Sequence, residues 1–205
     1  GIYTVPNQGE RRKRNKSQEA ALEENKAEAA TEQGKEVLTL LNIEMFVSTT
    51  LRGSAKGTGK VMYTLRMKKG EEQYYEKPPE IGKAEGTANR LTLWSICRAL
   101  ERMPSERMIL IYMENTYIAS VINQGWLEIW ERNDWKNSRG NEIKDVDLWK
   151  AILEKARKVG HNIAAVAGRH EYSEAFAYNM SKINAESNIF AKVEFEEVTP
   201  VHDRC

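Results

Sequence analysis

The sequence predicts an α/β protein with a mixed β-sheet and helices packed against it. Three strand-like segments follow one another at residues 43–47, 60–68 and 73–77, which indicates a meander of antiparallel strands. Two more strand-like segments, at residues 107–113 and 162–167, are each preceded by segments with helical periodicity. A run of strands followed by strands alternating with helices is typical of a mixed sheet that carries helices.

The first three strands are marked by apolar residues and by the turns between them. Residues 43–47 have the sequence Ile-Glu-Met-Phe-Val, which is typical of a buried strand. A turn rich in Gly, Ser and Lys occupies residues 51–59, and Lys-Gly-Glu at residues 69–71 is a hairpin signal. Because these connections are short, we expect the three strands to lie beside one another.

The remaining elements are predicted mainly from helical periodicity. Apolar residues recur at spacings of three and four between residues 89 and 103, which predicts an amphipathic helix there. Further helices are predicted at residues 116–122, 127–133, 147–159 and 173–185, with the strands at 107–113 and 162–167 between them.

The chain divides into a central domain at residues 42–186 and two appendages. Residues 1–41 alternate basic and acidic clusters and contain few large apolar side chains, so we expect a charged extension that is helical or flexible. Residues 187–205 include the alternating Ile189, Ala191, Val193 and Phe195, which predicts a strand. Such a strand needs a partner, either the edge of this sheet or another protomer.

Composition restricts the class of protein. The net charge is +1 and 40% of the residues are hydrophobic, which predicts a globular domain without strong attraction to polyanions. Two cysteines do not make a disulfide framework, and no apolar run is long enough to span a membrane. We therefore expect a soluble cytoplasmic protein with no membrane partner.

The most specific motif lies between residues 124 and 149. It contains Trp126, Trp130 and Trp135 at characteristic spacings, followed by Asp-Val-Asp-Leu-Trp at residues 145–149. This segment resembles the basic protrusion of the type 1 ribonuclease H family and the helix start that follows it. Four other segments resemble parts of the same family. The family's first strand is matched by residues 43–46 and its glycine-containing turn by residues 53–59. The entrance of its first helix is matched by residues 87–91 and its Asp-Ser-x-Tyr motif by residues 114–117.

The resemblance implies a ribonuclease-H-like fold over residues 42–186. That fold has a five-stranded mixed sheet in the spatial order 3-2-1-4-5, with helices on both faces. The strand at residues 43–47 is therefore expected at the centre of the sheet.

The resemblance also implies a degenerate catalytic site. In this family four carboxylates hold two divalent ions around the scissile phosphate, and here the four positions fall on Ser48, Thr92, Glu114 and Tyr178, or Asn179 for the last. Two such ions about 4 Å apart repel each other by roughly 17 kcal/mol at an effective dielectric constant of about 20, which one carboxylate cannot offset. We therefore expect no cofactor, and at most a weakly held ion at Glu114.

The family's catalytic-loop histidine corresponds to Arg169 or, with a shift of one residue, to His170. Arginine stays charged and cannot transfer a proton, but it can hold a phosphate. A histidine at this position would keep a nuclease possible.

Other positions resemble the family's nucleic-acid contacts. They come from the first-helix entrance, the loop after the fourth strand and the protrusion, namely Thr87, Asn89, Arg90, Thr116, Trp126, Trp135 and Lys136. Glu128, Glu131 and Asp134 dilute the positive charge of the protrusion. Because phosphate contacts dominate affinity, we expect weak, salt-sensitive binding.

Three functions remain open from the sequence. The first is an inactive or impaired ribonuclease-H-like domain that binds RNA–DNA hybrid or structured RNA. The second is a divergent endoribonuclease that cleaves the hybrid with Mg²⁺ or Mn²⁺, for which Glu85, Glu171 or Glu174 would supply relocated acids. The third is a structural domain that binds a protein partner or forms a homodimer through residues 1–41 or 187–205.

Overall fold

A computed structural model of the protein describes residues 20–21, 42–68 and 74–194. Most of the predicted N-terminal extension and the end of the C-terminal tail lie outside these residues. Within 42–194 the strands are β1 Asn42–Thr49, β2 Gly57–Lys68, β3 Tyr74–Glu76, β4 Glu80–Gly86, β5 Met108–Met113, β6 Asn162–Ala167 and β7 Phe190–Lys192. The helices there are α1 Ala88–Glu101, α2 Thr116–Asn123, α3 Trp126–Arg132, α4 Val146–Val159 and α5 Ser173–Lys182.

The strands form one mixed sheet in the order β6-β5-β1-β2-β4-β7, with β3 also paired to β2. β1 is antiparallel to β2 and parallel to β5, and β5 is parallel to β6. The predicted order 3-2-1-4-5 is therefore confirmed, with β1 in the interior of the sheet. The predicted number of five strands is wrong, because β4 and β7 add to the sheet in the described part of the chain.

The additional strand β4 pairs with the same neighbour, β2, as β3 does. Both pair antiparallel with the same side of β2, where Arg66 faces Glu76 and Tyr63 faces Glu80. Pro78 and Pro79 separate the two strands and cannot donate backbone hydrogen bonds, so the ladder is interrupted there. β7 then pairs with the outer side of β4, so this part of the predicted tail strand pairs with the sheet of its own chain.

Alternating residues of the sheet form two cores on opposite faces. On one face Met45 and Val47 of β1 belong to the larger core beneath α1, α2 and α4. On the other face Phe46 packs with Phe176 and Met180 of α5. Successive strand side chains point to opposite faces, so this division confirms the prediction of helices on both sides of the sheet.

The outer side of β6 is covered by a side chain of α2. Asn123 donates through Nδ2 to the Ala165 carbonyl at 2.8 Å and accepts from the Ala165 amide through Oδ1 at 2.9 Å. These are the two hydrogen bonds that a neighbouring strand would make at this residue.

None of the helices in the described segments is long and apolar enough to cross a membrane.

Candidate active site and nucleic-acid interface

An open cleft of about 550 Å³ lies where β1 and β5 end. Parallel strands bring their carboxyl ends to the same edge of a sheet, which is where ligands bind in open α/β sheets. The cleft is lined from β1, the turn after it, the start of α1, the β5–α2 junction and the end of β6. Of the predicted catalytic positions, Ser48, Thr92, Glu114 and Arg169 line this cleft.

Tyr178 does not line the cleft with them. It lies in the middle of α5, partly exposed, with Lys182 Nζ 4.3 Å from the centre of its ring. The alternative position, Asn179, is buried and donates through Nδ2 to the Ala175 carbonyl at 2.7 Å. The structure thus brings three of the four predicted metal positions together, from β1, α1 and the end of β5.

His170 is built into the core between β1 and α5. Its Nε2 lies 2.8 Å from the Val47 carbonyl and 3.0 Å from Ser48 Oγ, while Nδ1 accepts the Tyr172 amide at 3.1 Å. An Nδ1 that accepts leaves the proton of the neutral ring on Nε2, which donates to Val47. Burial lowers the pKa of His170, and the Val47 bond and the charge of Glu114 only partly oppose this effect. The neutral ring therefore links β1 to the loop before α5.

The cleft hydroxyls are already engaged. Thr92 is buried and its Oγ1 donates to the Ala88 carbonyl at 2.8 Å, one turn earlier in α1. Ser48 Oγ lies against His170. The carboxylate of Glu114 lies at the rim of the cleft, with its Oε2 3.8 Å from Arg52 Nη1.

These donors do not fit a pair of divalent ions. Hard cations favour anionic oxygen, and the cleft offers the single carboxylate of Glu114, which faces an arginine. In residues 42–68 and 74–194 no three side chains among His, Cys, Asp and Glu come close enough together to hold a metal. Glu171, one of the possible relocated acids, instead pairs with Arg66 at 2.7 Å.

Two of the predicted nucleic-acid contacts lie in the cleft. Asn89 and Thr116 line it, and Asn89 Oδ1 accepts a hydrogen bond from Asn115 Nδ2 at 2.5 Å. Asn115 in turn caps α2 by accepting the Ile118 amide at 2.9 Å. Thr87 caps α1 by accepting the Arg90 amide at 3.1 Å. These caps fix the two helix starts on either side of the cleft.

Arg90 is held by carboxylates. Its guanidinium contacts Asp147 through two hydrogen bonds, at 3.1 and 2.8 Å, and Asp145 at 3.1 Å. The contact of Arg90 with nucleic acid stays a prediction. In the structure its charge is balanced within the chain, and its ion pairs tie α1 to the start of α4.

The predicted aromatic contacts are largely buried. Trp126 is 7% exposed and Trp135 is 9% exposed, whereas stacking on a base requires an open ring face. Trp126 packs against Trp130, which packs against Trp149. Their binding of nucleic acid stays a prediction; in the structure both rings belong to the larger core. Lys136 is exposed, with Asp134 at 3.8 Å.

Arg52 lines the cleft but was not among the residues predicted from the sequence. It lies in the turn after β1, lines the cleft, and donates to the Thr49 carbonyl at 2.9 Å. A basic residue four positions after Ser48 was a usable signal, because the turn after a central strand lies at the carboxyl end of the sheet.

The fold and the cleft define a ribonuclease-H-like α/β domain, and comparison with known proteins gives the family. The sequence model of the family described as RNase H matches residues 43–176. The chain belongs to the RNase H family.

Curated relatives are named Ribonuclease H. The protein from Syntrophomonas wolfei subsp. wolfei is 36% identical over 98 residues, 46% of this chain and 67% of the relative. The protein from Caldicellulosiruptor saccharolyticus is 37% identical over 68 residues, 33% of this chain and 47% of the relative. The chain thus spans between about half and two thirds of the length of these relatives.

Solved structures share the fold. LC9-RNase H1, a type 1 RNase H with the type 2 active-site motif, matches with a TM-score of 0.57 and 14% identity, covering 75% of this chain and 78% of that one. The foamy viral protease-reverse transcriptase in complex with RNA/DNA hybrid matches with a TM-score of 0.52 and 13% identity, covering 67% of this chain and 18% of that one.

Proposed function

We propose that this chain is a nucleic-acid-binding RNase H domain that binds RNA–DNA hybrid without cleaving it. The observation that carries the proposal is the cleft at the ends of β1 and β5, which holds one carboxylate and two arginines. A strand backbone entering this cleft would meet Asn89 and Thr116 as hydrogen-bonding groups. Because Arg90 is neutralised and the protrusion tryptophans are buried, binding is weak and falls with salt.

A titration with labelled RNA–DNA hybrid tests the binding. Fluorescence anisotropy at low salt should show saturable binding that weakens as the salt concentration rises, with duplex DNA and single-stranded RNA as comparison ligands. An absence of saturable binding to the hybrid would refute the proposal. Incubation of the same hybrid with this protein and Mg²⁺ or Mn²⁺ should leave the hybrid intact. An active ribonuclease H in a parallel reaction should cleave it.

The second candidate is a hybrid-cleaving nuclease. It is favoured by the name of the curated relatives and by the position of Glu114 in the cleft. The protein-interaction function remains a prediction that rests on the appendages.

Glu114→Gln separates the two candidates. For a binder that does not cleave, removing a carboxylate that faces the phosphates should strengthen hybrid binding by about fivefold at low salt, the equivalent of about 1 kcal/mol for one charge pair at contact in water. For a nuclease, the same substitution should abolish cleavage, because the cleft would lose its metal ligand. Glu154→Gln, an exposed position on α4, is the matched control.

A further inference from the structure

The cleft carries arginine charge where relatives of this fold would need metal charge. Arg52 enters it from the turn after β1, and Arg169 enters it from the end of β6. Both line the cleft together with Glu114, which is the one carboxylate among the described residues that line it. Two arginines and one carboxylate therefore line the same open space of about 550 Å³.

Arg52 is held in place by the backbone around it. Its Nη1 donates to the Thr49 carbonyl at 2.9 Å and lies 3.8 Å from Glu114 Oε2. The side chain is nevertheless 71% exposed, so its remaining donors face solvent and the cleft. Arginine presents five N–H donors in a planar fork. The contacts of Nη1 with the Thr49 carbonyl and, at 3.3 Å, with the Leu51 carbonyl leave most of these donors available.

Arg169 is placed by the glycine that precedes it. The Gly168 amide donates to the Met113 carbonyl at 2.9 Å, which ends the ladder between β5 and β6. Gly168 has a φ of 123°, a conformation that side chains rarely adopt, so glycine permits the change of direction there. Among the described residues no carboxylate forms an ion pair with Arg169, which is exposed.

We infer that Arg52 and Arg169 together bind a backbone phosphate of a nucleic-acid strand, so that the cleft holds the strand without a divalent ion. This inference rests on the proposed function. Guanidinium groups match phosphate oxygens in a bidentate geometry, and they remain charged in the absence of metal. Mg²⁺ then acts on this protein only as a competing counterion.

The test compares hybrid binding in EDTA with hybrid binding in millimolar Mg²⁺. We expect affinity in EDTA to be equal to or higher than that in Mg²⁺. Arg52→Gln combined with Arg169→Gln should weaken binding on the order of tenfold at low salt, and the slope of log affinity against log salt should become shallower by about 1, because one phosphate contact is lost. Arg52→Lys with Arg169→Lys should retain most of the salt slope, because the charges remain.

Arg107→Gln is the matched control, because Arg107 lies just before β5, at the opposite end of this strand from the cleft. It should leave affinity and salt slope unchanged. Binding that requires Mg²⁺, or that persists unchanged in the double glutamine variant, would overturn this inference while leaving the proposed function intact. No saturable binding in either buffer would instead refute the proposed function, and this inference with it.

Discussion

Replacing Glu80 by Gln should strongly destabilise the protein. Glu80 begins β4 and is 2% exposed, yet it receives hydrogen bonds from Arg98 Nε at 3.0 Å and Nη2 at 3.1 Å, and from the Tyr63 hydroxyl. Arg102 Nη1 lies 3.4 Å from the same carboxylate and donates to the Tyr63 hydroxyl at 2.9 Å. One negative charge therefore balances two arginines between β4 and the end of α1.

The size of the effect follows from the burial of these groups. Removing one partner of a buried ion pair costs about 3–5 kcal/mol. The Arg98 side chain is 38% exposed, so water can partly replace its lost partner. We therefore expect a loss near the lower end of this range, about 3 kcal/mol. For a domain of this size that loss corresponds to a decrease in Tm of roughly 6–12 °C.

Denaturant unfolding measures the change, with Glu101→Gln as the matched control. Glu101 contacts the same Arg98 at 3.7 Å, but its side chain is 48% exposed, so its replacement should cost less than about 1 kcal/mol. Equal losses in the two variants would refute the argument that the buried Glu80 network stabilises the sheet.

The pH dependence gives an independent check. Burial alone would raise the pKa of Glu80, but the hydrogen bonds from Arg98 and Tyr63 and the charges of Arg102 and Arg98 outweigh it and hold the pKa below its ordinary value of 4.5. A depressed pKa stabilises the folded state above the unfolded-state pKa, and that stability is lost as the pH falls through the folded-state pKa. The difference between wild type and Glu80→Gln should therefore shrink below about pH 4.5.

Three further perturbations follow from contacts in the described residues. Lys60→Met removes the Nζ hydrogen bonds to the Met180 and Ile183 carbonyls, at 2.8 and 2.6 Å. The free energy of unfolding, measured with denaturant, should fall by about 1–3 kcal/mol. An equal loss in Lys56→Met, at an exposed position, would contradict this expectation. Burial raises the pKa of Cys97 to about 12, so in a Cys205→Ser background a thiol reagent at pH 8 should react only on unfolding. Trp126→Ala should lower the free energy of unfolding by about 3–5 kcal/mol. If the ring serves packing, Trp126→Phe should leave hybrid affinity within about twofold. A large loss of affinity without loss of stability would instead support a binding role for Trp126.

The strand order was predictable because apolar runs and the family motifs identified β1, β2, β3, β5 and β6, whose pairing gives the order 3-2-1-4-5. β4 was missed because its sequence, Glu-Ile-Gly-Lys-Ala-Glu-Gly, contains a single large apolar side chain and follows two prolines. Its burial arises from long-range pairing with β2 and from the ion pairs of Glu80, which local propensity does not show.

The site was less predictable than the fold. Ser48 lies at the end of β1 and Glu114 directly follows β5, so a strand assignment was enough to place them at one edge of the sheet. Tyr178 lies inside a helix, where a shift of one residue rotates the side chain by about 100°, and an alignment that is uncertain by one residue does not fix its direction. The spacing of Trp126 and Trp135 identified the protrusion, but exposure depends on the tertiary packing that buries both rings.

The two ends of the sheet, β6 and β7, offer little open strand edge within the described residues. On one side Asn123 occupies the hydrogen-bonding groups of Ala165 in the middle of β6, and on the other the sheet ends in the three residues of β7. Short or covered edges are poor templates for pairing with another chain. We therefore expect association through the described residues to use side-chain surfaces, so that it would depend on the identity of particular residues and would be open to disruption by single substitutions.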